Sequence, residues 1–365
     1  MEIMKTEIIK IVGSPADESN KHALDRAGEL IRSGELVAFP TETVYGLGAN
    51  GLDAIASKKI YEAKGRPSDN PLILHVANRE MIDTIASDVS PLAEKIIASF
   101  CPGPITLILP KKATVPDGIT GGLMTVGVRM PDNDFCRALI KSAGVPIAAP
   151  SANISGRPSP TNAEAVYRDM EGKIPLILDA GPCKFGVEST IVALDENETI
   201  TILRPGAVTR EMLLEICENV RLDPAMSGTQ CENIRPMAPG MKYRHYAPKA
   251  PLTLIEPQAL EIDAIMKILR HEIKKSEAAH KKIGIIVSDE IAAMAKDERL
   301  VPREYVVSYG KRGDLKNIAA RLYDSLRFFD DTDASQLLAE ATTRKGLGLA
   351  IMNRLMKASG GNVIC

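Results

Sequence analysis

The chain has 365 residues, with 45 Lys and Arg against 47 Asp and Glu, and a formal net charge of −2. Hydrophobic residues make up 45% and charged residues 25%, a globular balance that excludes disordered, collagen-like and disulfide-scaffold classes. The length favours two domains. No apolar run reaches the roughly 18–20 residues of a membrane helix, so we expect a soluble, intracellular protein.

The distribution of charges and cysteines excludes further classes of protein. Net charge is −5 over residues 1–208, +1 over 209–250 and +2 over 251–365, so no segment has the basicity of a dedicated nucleic-acid binder. The six cysteines are scattered without a C-x-x-C pair, and no H-E-x-x-H or similar spacing occurs. Free thiols and no dedicated metal site are therefore expected.

The first 208 residues alternate short β-like runs with helical patterns, which predicts an α/β domain. The predicted strands are 36–39, 71–76, 105–109, 125–130, 145–149, 176–181, 189–194 and 200–206. The predicted helices are 21–33, 53–64, 90–100, 132–143 and 162–171, with Asp53, Asp132 and Thr161 as N-caps and Gly34, Gly65 and Gly144 after the C-terminal ends. The late strands lack helices between them and should pair antiparallel.

A helix at 210–219 precedes a proline-rich stretch, 222–251, without a sustained period, which indicates an interdomain linker. The pattern then restarts with strands at 252–256, 283–288 and 304–310 and helices near 259–275, 314–328 and 346–359. This predicts a small three-layer α/β domain. The expected organisation is thus a first domain at 1–208, a linker at 209–250 and a second domain at 251–365.

Residues 46–51 fit the pattern G-x-G-x-x-G of dinucleotide-binding folds. The acidic residue about 20 positions further on should end a second hydrophobic strand, whereas Asp69 precedes its strand. We therefore interpret these glycines as forming a tight turn. No P-loop pattern occurs either, so any nucleotide chemistry must use another phosphate cradle.

Several cations lie at the ends of predicted elements, beside Pro or Gly. Lys64 and Arg66 follow a helix in AKGRPSDNP, while Arg129 and Arg204 end strands. An open sheet collects such charges at one edge, where polyphosphate or carboxylate would bind. The alternative for each of them is a solvated surface charge.

Polar residues also follow a predicted strand at Pro150-Ser151-Ala152-Asn153. Ser151 and Asn153 would hydrogen-bond a ligand at the carboxyl end of the strand, or form an Asx-type turn. A nucleophilic serine is less favoured because the G-x-S-x-G elbow is absent. The linker run PGMKYRHYAP (239–248) combines aromatic and cationic residues that could lie across a ligand.

Together these motifs resemble the YrdC-type threonylcarbamoyl-AMP synthases. The resemblance is carried by PTETVYGLG, AKGRPSDNPL, FCPGPITLIL, TVGVRMP, GVPIAAPSAN, FGVESTI and LRPG. The linker motif and the ending GLGLAIMNRLMKAS resemble the long, two-domain form of that family. The resemblance implies a YrdC-like open, twisted mixed sheet with helices, followed by a smaller Rossmann-like α/β domain.

The resemblance also implies a reaction in which L-threonine, bicarbonate and ATP give threonylcarbamoyl-AMP and pyrophosphate, with Mg²⁺ bound through the ATP phosphates. A separate threonylcarbamoyl transferase complex would then modify tRNA. By similarity, the central polar tetrad is Lys64, Arg66, Ser151 and Asn153. The positions implied for threonine are Thr41, His75, Arg129, Ala149 and Ser189, and those implied for ATP are Lys64, Ser68, Thr125, Ser151, Ser159, Arg204 and Tyr243.

Within the linker, we expect Tyr243 to close over the nucleotide as a lid that excludes water. Two other interpretations stay open. The chain could be an RNA-binding module, although the net charge of −5 over residues 1–208 predicts at most weak tRNA binding. Residues 252–365 could serve as a protein-interaction domain alongside the enzyme.

Overall fold

The computed structural model describes residues 4–227 and 245–365, and the chain divides into two compact units. Among the described residues, the first unit comprises 4–155 and 159–227, and the second comprises 156–158 and 245–365. Most of the predicted linker, including Tyr243, lies outside the described residues. The predicted domain boundaries remain a prediction.

The first unit contains a mixed sheet whose described strands number eleven. The strands are β1 (Glu7–Lys10), β2 (Val37–Phe39), β3 (Gly46–Asn50), β4 (Ile73–His75), β5 (Ile105–Pro110), β6 (Thr125–Arg129), β7 (Ile147–Ala148), β8 (Leu176–Asp179), β9 (Thr190–Leu194), β10 (Ile200–Arg204) and β11 (Val220–Leu222). Their spatial order is β1-β8-β2-β3-β7-β4-β6-β5-β9-β10-β11. Some neighbouring strands are parallel and others antiparallel, and β9 and β10 are antiparallel as predicted. The predicted mixed α/β fold is confirmed.

Helices connect and cover these strands. They are α1 (Glu18–Arg32), α2 (Ala54–Lys64), α3 (Arg79–Ile85), α4 (Pro91–Phe100), α5 (Asp117–Thr120), α6 (Asp134–Ala143), α7 (Ala163–Met170) and α8 (Arg210–Leu214). The apolar faces of α1 and α6 pack together in a core with β1, β2 and β8. A larger core, which also includes Ala38 of β2 and Ile177 of β8, packs the other strands of the sheet against α2, α4 and α7.

The helix ends follow local chemistry. Asp53 caps α2 by accepting from the amides of Ile55 and Ala56, and α2 ends at Gly65, whose φ of 60° is left-handed. Two predicted caps are wrong by one residue. The side chain of Asn133, not Asp132, caps α6, and that of Asn162, not Thr161, caps α7, because each asparagine reaches the amide three residues ahead.

The prediction that the glycines of 46–51 form a tight turn is wrong for Gly46 and Gly48, which lie in strand β3. Their lack of a side chain serves close packing. A Cβ at Gly48 would lie 2.6 Å from the ring of Phe39 and 2.8 Å from Cγ2 of Ile147. The side chains of Phe39 and Ile147 therefore pack so closely against Gly48 that they leave no room for a methyl group.

The second unit is built on a parallel sheet of order β14-β13-β15-β12-β16. Its strands are β12 (Leu252–Ile255), β13 (Ile283–Val287), β14 (Val306–Ser308), β15 (Gln336–Glu340) and β16 (Val363–Ile364), and its helices are α9 (Ile262–Ala278), α10 (Asp289–Asp297), α11 (Leu315–Phe328) and α12 (Leu347–Ala358). The alternation of strands and helices confirms the predicted Rossmann-like α/β architecture. In the described ranges, no helix is long and apolar enough to cross a membrane.

Replacing Gly48 tests the packing of β3. We expect Gly48→Ala to lower the free energy of unfolding by about 1–3 kcal/mol, because the added methyl group overlaps Phe39 and Ile147. The matched control is Gly118→Ala in α5, where the nearest atom to the new Cβ would be Ser57 Oγ at 3.6 Å. Urea unfolding followed by circular dichroism measures both variants, and equal stabilities would contradict the packing argument.

Candidate active site

The segment at 40–45, which joins β2 to β3, is buried along its whole length. Its backbone binds three later parts of the chain. The carbonyl of Glu42 accepts from the amide of Phe185 at 2.8 Å, and the carbonyl of Tyr45 accepts from the amide of Ala152 at 2.8 Å. The amide of Tyr45 donates to the carbonyl of Pro160 at 2.9 Å. Loops that are more than 100 residues away in sequence thus converge on this segment.

Lys64, the last residue of α2, is joined to the loop after β7. Its side chain is buried, and Nζ donates to the backbone carbonyls of Ser151 and Asn153. The hydroxyl of Ser151 donates to Oδ1 of Asn153 at 2.5 Å, and Nδ2 of Asn153 donates to the carbonyl of Ile154 at 2.7 Å. Three of the four tetrad residues therefore form one hydrogen-bonded group at the carboxyl end of β7.

Arg66, the fourth tetrad residue, lies just beyond the left-handed Gly65. Its guanidinium donates to the carbonyls of Asn70 and Pro71, which stabilises the turn that carries the exposed Ser68. Thr125 begins β6, about 13 Å along that strand from Arg129 at its end. The structure shows no direct contact between Ser68 or Thr125 and the Lys64 group.

Arg129 is buried and ion-paired with a residue that the sequence interpretation missed. Its Nη2 donates to Oε2 of Glu42 at 2.7 Å and to Oγ1 of Thr43 at 2.8 Å. The hydroxyl of Thr43 in turn lies 2.9 Å from that of Thr41, which donates to the carbonyl of Val44. Glu42 and Thr43 stand in the quoted motif PTETVYGLG, and only their burial beside Arg129 distinguishes them as site residues.

His75 ends β4 and lies opposite Arg129 on the neighbouring parallel strand β6. Burial, and secondarily the positive charge of Arg129, lowers the pKa of the imidazole to about 3, so His75 is neutral. Ala149 follows β7 and donates its amide to the carbonyl of Ile73 at 2.9 Å, in the same β4 strand. Three positions implied for threonine are thus on or beside β4 and β6.

Ser189 and Arg204 form a second buried group at the β9–β10 pair. Arg204 donates from Nε to the carbonyl of Ser189 at 3.1 Å and from Nη2 to its hydroxyl at 3.2 Å. The same hydroxyl lies 2.7 Å from Oγ1 of Thr106 on β5. Next in the chain, Glu188 accepts from the hydroxyl of Ser159 at 2.5 Å. Glu188 and Thr106 are further buried polar residues that the sequence interpretation did not include among its candidates.

The alternative that the candidate cations are solvated surface charges concerns Lys64, Arg66, Arg129 and Arg204. It is wrong for three of these four side chains. Lys64, Arg129 and Arg204 are 2%, 4% and 6% exposed. Burial of a charged side chain is costly without partners, and each of the three has hydrogen-bond acceptors in the unit. Such an arrangement favours binding of an anionic or polar ligand, because charges act strongly where water is excluded.

In the described part of the chain, no group of three or more His, Cys, Asp or Glu side chains could hold a metal ion. Mg²⁺ commonly keeps several waters and is bound through substrate phosphates with few protein ligands. The residues present are therefore compatible with Mg²⁺ that enters with a nucleotide.

Comparisons with known proteins agree with the fold. A family model described as telomere recombination matches residues 29–206, and one described as the threonylcarbamoyl-AMP synthase C-terminal domain matches residues 208–360. The threonylcarbamoyl-AMP synthase of Bacillus subtilis is 44% identical over 95% of each chain. That of Pyrococcus abyssi is 47% identical over 93% of this chain and 94% of the other. The crystal structure of P. abyssi Sua5 complexed with L-threonine superposes with a TM-score of 0.88 at 43% identity, covering 98% of this chain and 99% of that one.

The fold and these relatives define a two-domain enzyme of the nucleotidyltransferase type. The chain belongs to the threonylcarbamoyl-AMP synthase family, in its long, two-domain form.

The depressed pKa of His75 predicts a pH-dependent stability. An unfolded histidine has a pKa near 6.5, whereas the folded one titrates near 3, so between these values only the unfolded chain binds the proton. The free energy of unfolding should therefore fall as pH drops from 6.5, by up to about 1.4 kcal/mol per pH unit from this group. In His75→Phe this contribution disappears.

Urea unfolding between pH 4.5 and 7.5 measures the effect. The control is His271→Phe, which replaces a histidine whose side chain is 77% exposed. If His75→Phe and the wild type showed the same pH dependence, the neutral, buried state of His75 would be wrong.

Proposed function

We propose that the chain forms threonylcarbamoyl-AMP and pyrophosphate from L-threonine, bicarbonate and ATP, as a step of tRNA modification. The observation that carries the proposal is the hydrogen-bonded group of Lys64, Ser151 and Asn153 at the carboxyl end of β7, in which Lys64 and Asn153 are buried. Full-length similarity to named threonylcarbamoyl-AMP synthases supports the activity.

The chemistry gathers negative charge in one place. The amine of threonine attacks the carbon derived from bicarbonate, with loss of water, and gives a carbamate. A carbamate oxygen then attacks the α-phosphorus of ATP and displaces pyrophosphate. Both steps need positioning and stabilisation of oxyanions, which a buried ammonium group and oriented hydrogen-bond donors supply. Lys64 and Arg66 provide the cations, and Ser151 and Asn153 provide the hydroxyl and amide groups.

The threonine substrate would occupy the side of the site formed by β4 and β6. Arg129 is the proposed partner of its carboxylate, since a guanidinium group binds carboxylates through directed hydrogen bonds. Neutral His75 and Ala149 would form the adjoining wall, with Thr41 and Ser189 as polar contacts. The relative from P. abyssi was crystallised with L-threonine, which supports threonine as a substrate.

ATP would contact Ser159 and Arg204 as well as the Lys64 group, with Ser68 and Thr125 as outer contacts. Mg²⁺ that enters with ATP would neutralise part of the charge on its phosphates. Tyr243, which the family resemblance also implies for ATP, lies outside the described residues. The product would pass to a threonylcarbamoyl transferase complex in the cytoplasm.

The alternative, an RNA-binding module, has less support. Three of the four candidate cations, Lys64, Arg129 and Arg204, are buried side chains, and net charge over residues 1–208 is −5. At most weak, salt-sensitive binding of tRNA is expected, including any double-stranded part.

Pyrophosphate release from ATP, measured with and without threonine and bicarbonate, tests the function. We expect release to require both substrates. Lys64→Ala and Arg66→Ala should each lower threonine-dependent release about 10²–10³-fold, because each removes a cation that stabilises phosphoryl oxygens. The matched control is Lys58→Ala on the same helix, whose side chain is 76% exposed.

Circular dichroism would confirm that the variants fold. Full activity of either variant would move the site elsewhere. Low-micromolar tRNA binding by the wild type without ATP turnover would instead favour the RNA-binding alternative.

A further inference from the structure

The ion pair between Glu42 and Arg129 is almost completely removed from solvent. The side chains are 2% and 5% exposed, and Oε2 of Glu42 lies 2.7 Å from Nη2 of Arg129. A carboxylate beside the proposed partner of a substrate carboxylate requires an explanation, because it competes for the same guanidinium.

The hydrogen bonds of Glu42 and Arg129 leave some polar atoms of the pair available to a ligand. Nη2 of Arg129 has two N–H groups, and it donates to Glu42 and to Thr43. Nε of Arg129 and Oε1 of Glu42 have no hydrogen-bond partner among the described residues. Glu42 and Thr43 thus hold one end of the guanidinium, while its other nitrogens are not used by the protein. Buried polar groups without partners are rare in folded proteins and suggest a site completed by something else.

Three titratable side chains beside the pair are neutral at neutral pH. His75, opposite Arg129, is neutral because its pKa is lowered to about 3. Burial raises the pKa of Cys101 to about 12 and also raises that of Cys136, so neither thiol is ionised at neutral pH. The negative charge of Glu42 therefore cancels the positive charge of Arg129, and these three neighbours do not alter that balance at neutral pH.

We propose that Glu42 is a positioning and specificity-determining residue. It holds Arg129 through Nη2 and cancels its charge. As a result, the site selects an amino-acid zwitterion over a carboxylic acid that lacks the ammonium group. The inference rests on the proposed function, in which Arg129 receives the carboxylate of threonine. Without Glu42, the buried guanidinium would carry an uncompensated charge and would favour ligands with a net negative charge.

The test compares threonine with 3-hydroxybutyrate, which has the same carboxylate and hydroxyl groups but no ammonium group. KM for threonine and the inhibition constant of 3-hydroxybutyrate are measured by pyrophosphate release in the wild type and in Glu42→Gln, which keeps the shape and removes the charge. We expect the ratio of the inhibition constant to KM to fall at least about tenfold in the variant. The matched control is Glu94→Gln, which removes the carboxylate from a half-buried pair with Arg79 and should leave the ratio unchanged.

A merely structural role for Glu42 predicts that both ligands weaken equally, so an unchanged ratio would overturn the proposal. If Glu42→Gln folds but does not turn over, calorimetric binding of the two ligands gives the same ratio. If Glu42→Gln does not fold, Glu42→Asp serves instead, because aspartate keeps the negative charge. For Glu42→Asp, a wild-type ratio of the inhibition constant to KM together with a higher KM supports the proposal. A shifted ratio contradicts it. Absence of threonine-dependent pyrophosphate release in the wild type would reject the proposed function itself.

Discussion

The buried segment between β2 and β3 is the constraint on which the rest of the first unit depends. It has no regular secondary structure, yet its backbone groups must be hydrogen-bonded because water does not reach them. They are paired with the loops around residues 152, 160 and 185. The same hydrogen bonds that satisfy the buried backbone therefore bring the elements of the site together, and folding and assembly of the site are one event.

The same burial determines how strongly the cations of the site act on a ligand. Lys64, Arg129 and Arg204 are held away from solvent, each by carbonyl, carboxylate or hydroxyl oxygens of neighbouring loops. Charges in such surroundings interact more strongly with a ligand than surface charges do, and they need no reorganisation when the ligand arrives. An acidic domain can therefore present a cationic site, and bulk net charge does not report on it.

Local chemistry accounts for the elements that were predicted well. The helix 54–64 was predicted from Asp53 and Gly65, because a cap and a left-handed glycine act within one turn. Strand β3 was missed because its two glycines suggest a turn when seen alone, and only their packing against Phe39 and Ile147 explains them. The edge strand β1 was missed as well, since its pairing with β8 joins residues about 170 positions apart.

The sequence by itself determined the α/β class, the family and the candidate residues, because ordered motifs and short-range caps are encoded locally. The count of two domains from length and composition agrees with two compact units. Only the tertiary structure decided which candidates are buried and which contact one another. It also brought Glu42 into contact with Arg129, which is 87 residues away in the sequence. Such a pairing depends on which strands become neighbours in the sheet, and strand order is set by the packing of the whole unit.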